Sequence, residues 1–173
     1  TGNAEIHLDR KLMEKRIFTY DELNMLDREG KITEIIRKEF FNHPAPGTKH
    51  QIISWNLDSI FSRYLEKSPV GRLFDAPFDV ILSKENVVQP DKVFIKKSNE
   101  HIIGEQGITG VPDLIIEIVS DTRYDVDKKI PLYATYAVPN LWYLFPEENL
   151  LKVYRLKGAH YLLINAYTEK AVL

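Results

Sequence analysis

The chain has 173 residues, 44% hydrophobic and 28% charged, with 23 Lys and Arg against 25 Asp and Glu, a formal net charge of −2 and no cysteine. This length suits one domain with a sizeable core, and the ordinary composition excludes disordered and low-complexity chains. Without thiols there are no disulfides, zinc–thiolate sites or thiol catalysis, and near-neutral charge argues against stable coating of nucleic acid while leaving room for a local basic patch.

Residues 1–16, including a charged stretch from Arg10 to Arg16, are expected to form a mobile arm on a single domain spanning 1–173. Thr19-Tyr20-Asp21-Glu22 has the form of a capping box and predicts a short helix through Leu23 and Leu26 to about Arg28, ended by Gly30. Lys31 to Phe41 alternates as a strand with Ile32, Ile36 and Phe40 on one face, with a helix as the open alternative. Pro44, Pro46 and Gly47 mark a turn. A second capping-box pattern, Thr48-Lys49-His50-Gln51, precedes Ile53, Leu57, Ile60, Phe61, Tyr64 and Leu65 at helical spacing, and that helix should stop near Ser68-Pro69. Short β-type runs follow at 73–82, 87–95, 114–119, 141–145, 150–156 and 161–167. A polar segment holding Gly104, Gly107 and Gly110 reads as a flap or hairpin. One later helix is expected over 128–138, with Pro131 in its first turn because a deeper proline removes a hydrogen bond and clashes with the preceding turn. The order predicts an α/β (or α+β) mixed sheet flanked by helices.

Several acids stand out from this apolar pattern. Glu117 interrupts Leu114-Ile115-Ile116-Glu117-Ile118-Val119, which otherwise reads as a strand buried on both faces. A buried carboxylate requires a cation, a proton or a function. Asp113, four residues earlier, alternates onto the same face. Pro90-Asp91 and Pro112-Asp113 each introduce a strand, and Asp125, Asp127, Lys128 and Lys129 gather at the next helix. Each has an ordinary reading: Pro-Asp as turn chemistry, Asp127 as a helix cap, the lysines as solvated charges. Carboxylates from two strands beside a lysine are also the composition of a site for Mg²⁺ or Mn²⁺.

The sequence resembles the Uma-type endonucleases of the PD-(D/E)XK restriction-endonuclease-like superfamily. The likeness is carried by Val87-Val88-Gln89-Pro90-Asp91, by Gly110-Val111-Pro112-Asp113 running on to Ser120, by Asp125, Lys129 and Tyr133, and by Val138-Pro139-Asn140-Leu141-Trp142-Tyr143. It covers most of the chain, from Thr19 to about Tyr161, and is most specific over 112–143. The resemblance implies a restriction-endonuclease-like core in which Asp91 and Glu117 are the signature acids. The signature lysine is replaced by Val119, and Lys129 takes its part through an Asp–x₃–Lys–x₃–Tyr spacing. Glu34 and His50 match two further family positions. An Asp-Gly pair usual after the first glutamate is replaced by Arg37-Lys38, which removes the signal for a tight turn there, and small residues usual before Val138 are replaced by Tyr136 and Ala137.

On this resemblance the expected activity is Mg²⁺- or Mn²⁺-dependent hydrolysis of nucleic-acid phosphodiesters, with DNA as the first substrate to test. Asp91, Glu117, Glu34 and the Ile118 carbonyl would be metal ligands, with Lys129 steadying the attacking water. Asp113, His50 and Asp125 would be auxiliary, and Lys92, Lys96, Lys97 and Arg123 would contact flanking phosphates. His7, His43, His101 and His160 show no ligand spacing. A homodimer is expected for cutting both strands of a duplex. No nucleotide cofactor is expected, since neither G-x-G-x-x-G nor G-x₄-G-K-[ST] occurs. No apolar run approaches the ~18–20 residues that span a bilayer and no signal peptide is apparent, so a soluble cytoplasmic protein is expected. Two other readings stay open: a non-catalytic, self-associating module in which Glu117 merely pairs with Lys129, and a hydrolase of small nucleotides or single-stranded nucleic acid.

Overall fold

The computed structural model describes residues 19–25 and 32–168. The expected arm at 1–16, and the part of the first helix expected beyond residue 25, lie outside the described residues. What is described of that helix, α1 (Tyr20–Leu23), starts at the capping box: the Glu22 carboxylate accepts from the Thr19 N–H at 3.0 Å and from its hydroxyl at 3.2 Å. Next come β1 (Ile32–Ile36), β2 (Glu39–His43), α2 (Thr48–Lys67), β3 (Gly71–Asp75), β4 (Asp79–Ser83), β5 (Asn86–Val88) and β6 (Lys92–Lys96). A 3₁₀ turn (Lys97–Ile102), β7 (Gly107–Thr109) and β8 (Leu114–Ile118) lead to a π-helical stretch (Arg123–Lys129) running into α3 (Ile130–Thr135). β9 (Asn140–Phe145), β10 (Leu150–Lys157) and β11 (His160–Thr168) close the order.

The expected mixed α/β architecture is present, with the strands divided between two sheets. One runs β2-β1-β5-β4-β7 and the other β11-β10-β9-β8-β6-β3. Two of the expected runs are therefore each a pair of strands. The run 73–82 breaks between β3 and β4, and 87–95 breaks at Gln89-Pro90-Asp91, where the chain leaves the five-stranded sheet for the six-stranded one. Proline explains the second break, since it cannot donate to a ladder. The single strand expected over 31–41 is instead a hairpin over 32–43: Ile36 pairs with Glu39, and Arg37 and Lys38 form a two-residue turn at φ 52° and 69°. The tight turn exists without its Asp-Gly signal, because the flanking pairing demands it.

Three apolar clusters hold the layers. The largest lies where the two sheets meet the 123–135 helix, and includes Val80, Val88, Ile95, Ile115, Leu132, Tyr133 and Leu141. Ile53 and Leu57 of α2 cover the opposite face of the larger sheet, on Leu114, Ile116, Ile118 and Leu144. Leu23 of α1 covers Ile35 and Val87. β8 is buried along its whole length between antiparallel β6 and parallel β9, the central position its composition predicts.

Helix details differ from expectation in two places. α2 begins at Thr48 with Gly47 as its N-cap, so Thr48 is no cap and the second capping box does not form. The late helix begins at Arg123 rather than at 128, which places Pro131 deep in a continuous helical run. The widened π turn before it accommodates the ring, and π turns are a recurrent means of relieving strain inside helices. The expected flap at 97–110 is a 3₁₀ turn plus β7, which pairs in parallel with β4.

Candidate active site

The six-stranded sheet supplies the first two acids. β6 and β8 pair with Lys92 opposite Ile116, so one further step along the register sets Asp91 opposite Glu117, on the face away from α2. The next step sets Ile118 opposite Pro90, which has neither a regular partner geometry nor an N–H. There the Asp91 carboxylate replaces the missing rung, its Oδ2 accepting from the Ile118 N–H at 2.7 Å. Its Oδ1 lies 2.9 Å from His50 Nε2, brought in by the first turn of α2.

The helical stretch brings Lys129 to the same face. Its Nζ lies 3.1 Å from Glu117 Oε1, 3.1 Å from Glu34 Oε1 and 3.8 Å from Asp125 Oδ1. Tyr133, one turn on, donates its hydroxyl to Glu117 Oε1 at 2.6 Å. Glu34 arrives from β1 of the other sheet and is fully buried, accepting from the Gln89 N–H at 2.7 Å and the Tyr124 hydroxyl at 2.6 Å, with His43 Nε2 at 3.1 Å. Asp125 Oδ2 accepts from the Ser120 and Asp121 N–H groups, and Tyr143 donates to the Asp125 carbonyl at 2.9 Å. These side chains border a cavity of about 140 Å³ walled on one side by Pro44, Ala45, Pro46 and Gly47.

The electrostatics follow from this packing. Four carboxylates, Glu34, Asp91, Glu117 and Asp125, surround the single ammonium of Lys129. Burial pushes the Glu117 carboxyl up to about 8; Lys129 opposes this, while Asp91, Asp125 and Glu34 add to it. Burial also acts against ionisation of Glu34, but Lys129, His43 and Tyr124 outweigh it and bring that carboxyl down to about 2. Lys129 is held above its ordinary value by the surrounding carboxylates despite its burial.

Among the described residues no three Asp, Glu or His side chains are arranged to hold a metal ion. The reason is their present partners: Glu117 points both oxygens at Lys129, and Asp91 is engaged by Ile118 and His50. The donor set itself is all hard oxygen, four carboxyl groups against the one ammonium of Lys129. It meets at a small cavity where His50 Nδ1 is buried without a hydrogen-bond partner. That chemistry fits a hard divalent cation.

Of the residues singled out from sequence, Asp91, Glu117, Lys129, Glu34, His50, Asp125 and Ile118 come together at the cavity. Asp113 does not. Its carboxylate accepts from the Lys96 N–H at 2.9 Å and from Asn99 at 3.1 Å, at the start of β8 and four residues from Glu117, about 13 Å along a strand. Lys92 is wholly buried on the α2 side, its Nζ 2.5 Å from Asp58 and 2.6 Å from Asp75, so it is not available to a phosphate. Alternation decides this: Asp91 and its neighbour Lys92 must face opposite sides of the sheet. Lys96 and Lys97 are exposed but border a different groove, on the α2 side. Arg123 is exposed at the start of the π stretch, and Asp127 lies exposed within it rather than capping a helix. Sequence reasoning missed His43, Gln89 and Tyr124. The signal for His43 was its place in the strand returning beside Glu34, with Glu34 opposite Phe41 in the hairpin register.

Comparison with known proteins bears on the fold and the family. The crystal structure of "a putative nuclease belonging to DUF820" from Anabaena variabilis shares the fold at a TM-score of 0.71, with 22% identity over 88% of this chain and 85% of that one. No curated protein matches the chain. Residues 19–173 match the family Uma2, described as "Putative restriction endonuclease". Running from the cap of α1 through every strand and the whole acid cluster, that match makes the chain a member of the Uma2 family.

Proposed function

We propose that the chain is a metal-dependent nuclease whose reaction centre is the cavity between Asp91, Glu117 and Lys129. The observation that carries this reading is the charge imbalance: four buried or half-buried carboxylates converge on one lysine, with Glu117 pushed up to about 8. A fold that needed only a satisfied ion pair would not place three further acids around it. Asp91, Glu117 and the Ile118 carbonyl would hold Mg²⁺ or Mn²⁺, with Glu34 a ligand directly or through water. The bound cation supplies Lewis acidity, lowering the pKa of water and offsetting charge on the phosphate.

The chain's own groups do the rest. Lys129 would orient the attacking water and balance negative charge on the phosphoryl oxygens. Tyr133 and Tyr124 fix the Glu117 and Glu34 carboxylates by short hydrogen bonds. Ser120 and Asp121 N–H groups hold Asp125, which keeps Lys129 aimed at the cavity. The exposed Arg123, beside this cluster in sequence, would contact a flanking phosphate without sequence readout. The family description supports a nucleic-acid substrate, with DNA the first to test, acted on by a single domain.

The test is cleavage of single- and double-stranded DNA and RNA with Mg²⁺ or Mn²⁺, with Asp91→Ala and Glu117→Ala alongside. Wild-type cleavage lost in both variants, each still folded by circular dichroism, is the expected result. Retained activity in both would sink the assignment. The contacts of Glu117 with Lys129 and Tyr133 also favour a second reading, a non-catalytic module in which this pair is structural. That reading predicts a melting temperature indifferent to Mg²⁺, whereas a site that binds the cation only when folded predicts a rise.

A further inference from the structure

Away from the acid cluster, the far side of the larger sheet carries a groove of about 920 Å³ beside α2. Its floor is Leu114, Trp142, Leu144 and Leu151, and its wall is Ile60, Phe61 and Tyr64 of α2. α2 sits over β8 and the near edge of β9, through Ile53 and Leu57. β10 and β11 extend beyond it. Two strands span about 10 Å, which is the width of one helix. The register continues the apolar floor outward: Leu151 stands opposite Tyr167, and Leu162 lies on the same face, opposite Arg155. Both are exposed.

Exposed large apolar side chains recur on this face. Among the described residues Ile60, Tyr64 and Val70 line the groove, and Leu162 and Tyr167 continue its floor. Ile60 is 55% exposed, Tyr64 56% and Leu162 47%. Isolated exposed apolar residues are ordinary, but a continuous face of this kind marks an interaction surface. β11, nine residues almost all exposed and lacking proline, is also an edge strand among the described residues, with no further strand paired to its outer side there.

We propose that a second copy of this chain covers the face, each α2 seating on the bare β10–β11 strip of the other. One molecule offers both halves of the match: a helix with more apolar surface than its own sheet covers, and a bare strip one helix wide. Such a contact is isologous and closes as a two-fold dimer. Its size is adequate. Sixteen residues line the groove, and Leu162 and Tyr167 continue its floor, close to the roughly 20–30 residues per side of a standard interface. Lys96, Lys97 and Ser98 give its end a polar rim. The acid cavity lies on the opposite face of the sheet and stays open, so the inference stands whether or not the chain is a nuclease.

Light scattering on the full chain tests it, with Ile60→Glu and Tyr64→Glu run separately. The wild type should have twice the chain mass, and each variant the mass of one chain while still unfolding cooperatively, at a melting temperature lowered by the loss of association. Both positions are more than half exposed, so either charge is compatible with the monomer's fold, and if one variant does not fold the other decides. A monomeric wild type at high micromolar concentration overturns the proposal, as does a dimer that survives both glutamates. A monomer that instead binds a hydrophobic dye in the groove overturns it in favour of a small apolar ligand.

Discussion

Glu117 sits at a position where ionisation is costly, and this sets how the metal-free protein responds to pH. Its folded value of about 8 lies above its ordinary 4.5, so between these values the native state holds a proton that the unfolded chain has lost. Stability from this group is therefore full below about pH 4.5 and is lost as pH rises toward 8. Glu34 has the opposite sign in a separate window. Its folded value of about 2 makes its contribution full above pH 4.5 and lost as pH falls toward 2. Melting temperatures from pH 5 to 8.5 without divalent ions should fall for the wild type, and Glu117→Gln should flatten that decline. An equal slope in the variant would place the titration elsewhere. Replacing Lys129 by methionine removes the one cation among four acids. A loss of about 3–5 kcal/mol is expected, the usual cost of breaking a buried pair from one side, measured by urea unfolding at pH 7.

The elements show how much of this was readable beforehand. β8 was legible because burial on both faces leaves a continuous apolar run, and the helix of 48–67 because its apolar residues repeat every three or four positions. What escaped the sequence was the partition of strands between sheets, because alternation reports which face a residue takes and not which neighbour it pairs with. Lys92 illustrates the loss: its charge suggested a phosphate contact, and only its pairing partners place it under α2 between Asp58 and Asp75. The hairpin at Arg37-Lys38 is a case of tertiary demand overriding local preference. Both residues occupy a left-handed conformation that suits Asn and Gly better. The double substitution Arg37→Asn with Lys38→Gly should raise stability by about 0.5–1 kcal/mol, less the small contribution of the exposed Lys38–Glu85 pair. Chemical denaturation checks this, and a loss would show that the turn is less strained than its dihedrals indicate.

At the scale of the molecule, the candidate site is assembled from both sheets, a helix N-terminus and a π turn. Glu34 belongs to one sheet and Asp91 and Glu117 to the other; Gln89, where the chain crosses between them, is anchored to the first, accepting from the Thr33 N–H of β1 while its amide donates to Asp79 of β4. The motif segment 112–143 supplied Glu117, Asp125 and Lys129 in one stretch, whereas Glu34 and His43 needed the fold to bring them near. Cation binding should accordingly stiffen the joint between the sheets. Millimolar Mg²⁺ should raise the wild-type melting temperature by several degrees, an increment lost in Asp91→Ala. Calorimetry checks both, and an equal rise in the variant would mean that the ion acts elsewhere. Among the described residues no helix is long and apolar enough to cross a membrane.

The rung that Asp91 supplies to the Ile118 amide has a practical consequence. A backbone proton held by a side-chain carboxylate, rather than by a ladder carbonyl, experiences whatever that carboxylate experiences. Engagement of Asp91 by a cation, or its release by His50, would each alter the shielding and solvent exchange of this one amide. The strand therefore carries its own spectroscopic gauge. In a ¹⁵N-labelled sample the Ile118 resonance should move on titration with Mg²⁺, ahead of any change in the amides of Ile115 and Ile116, whose positions lie within the regular β6–β8 pairing.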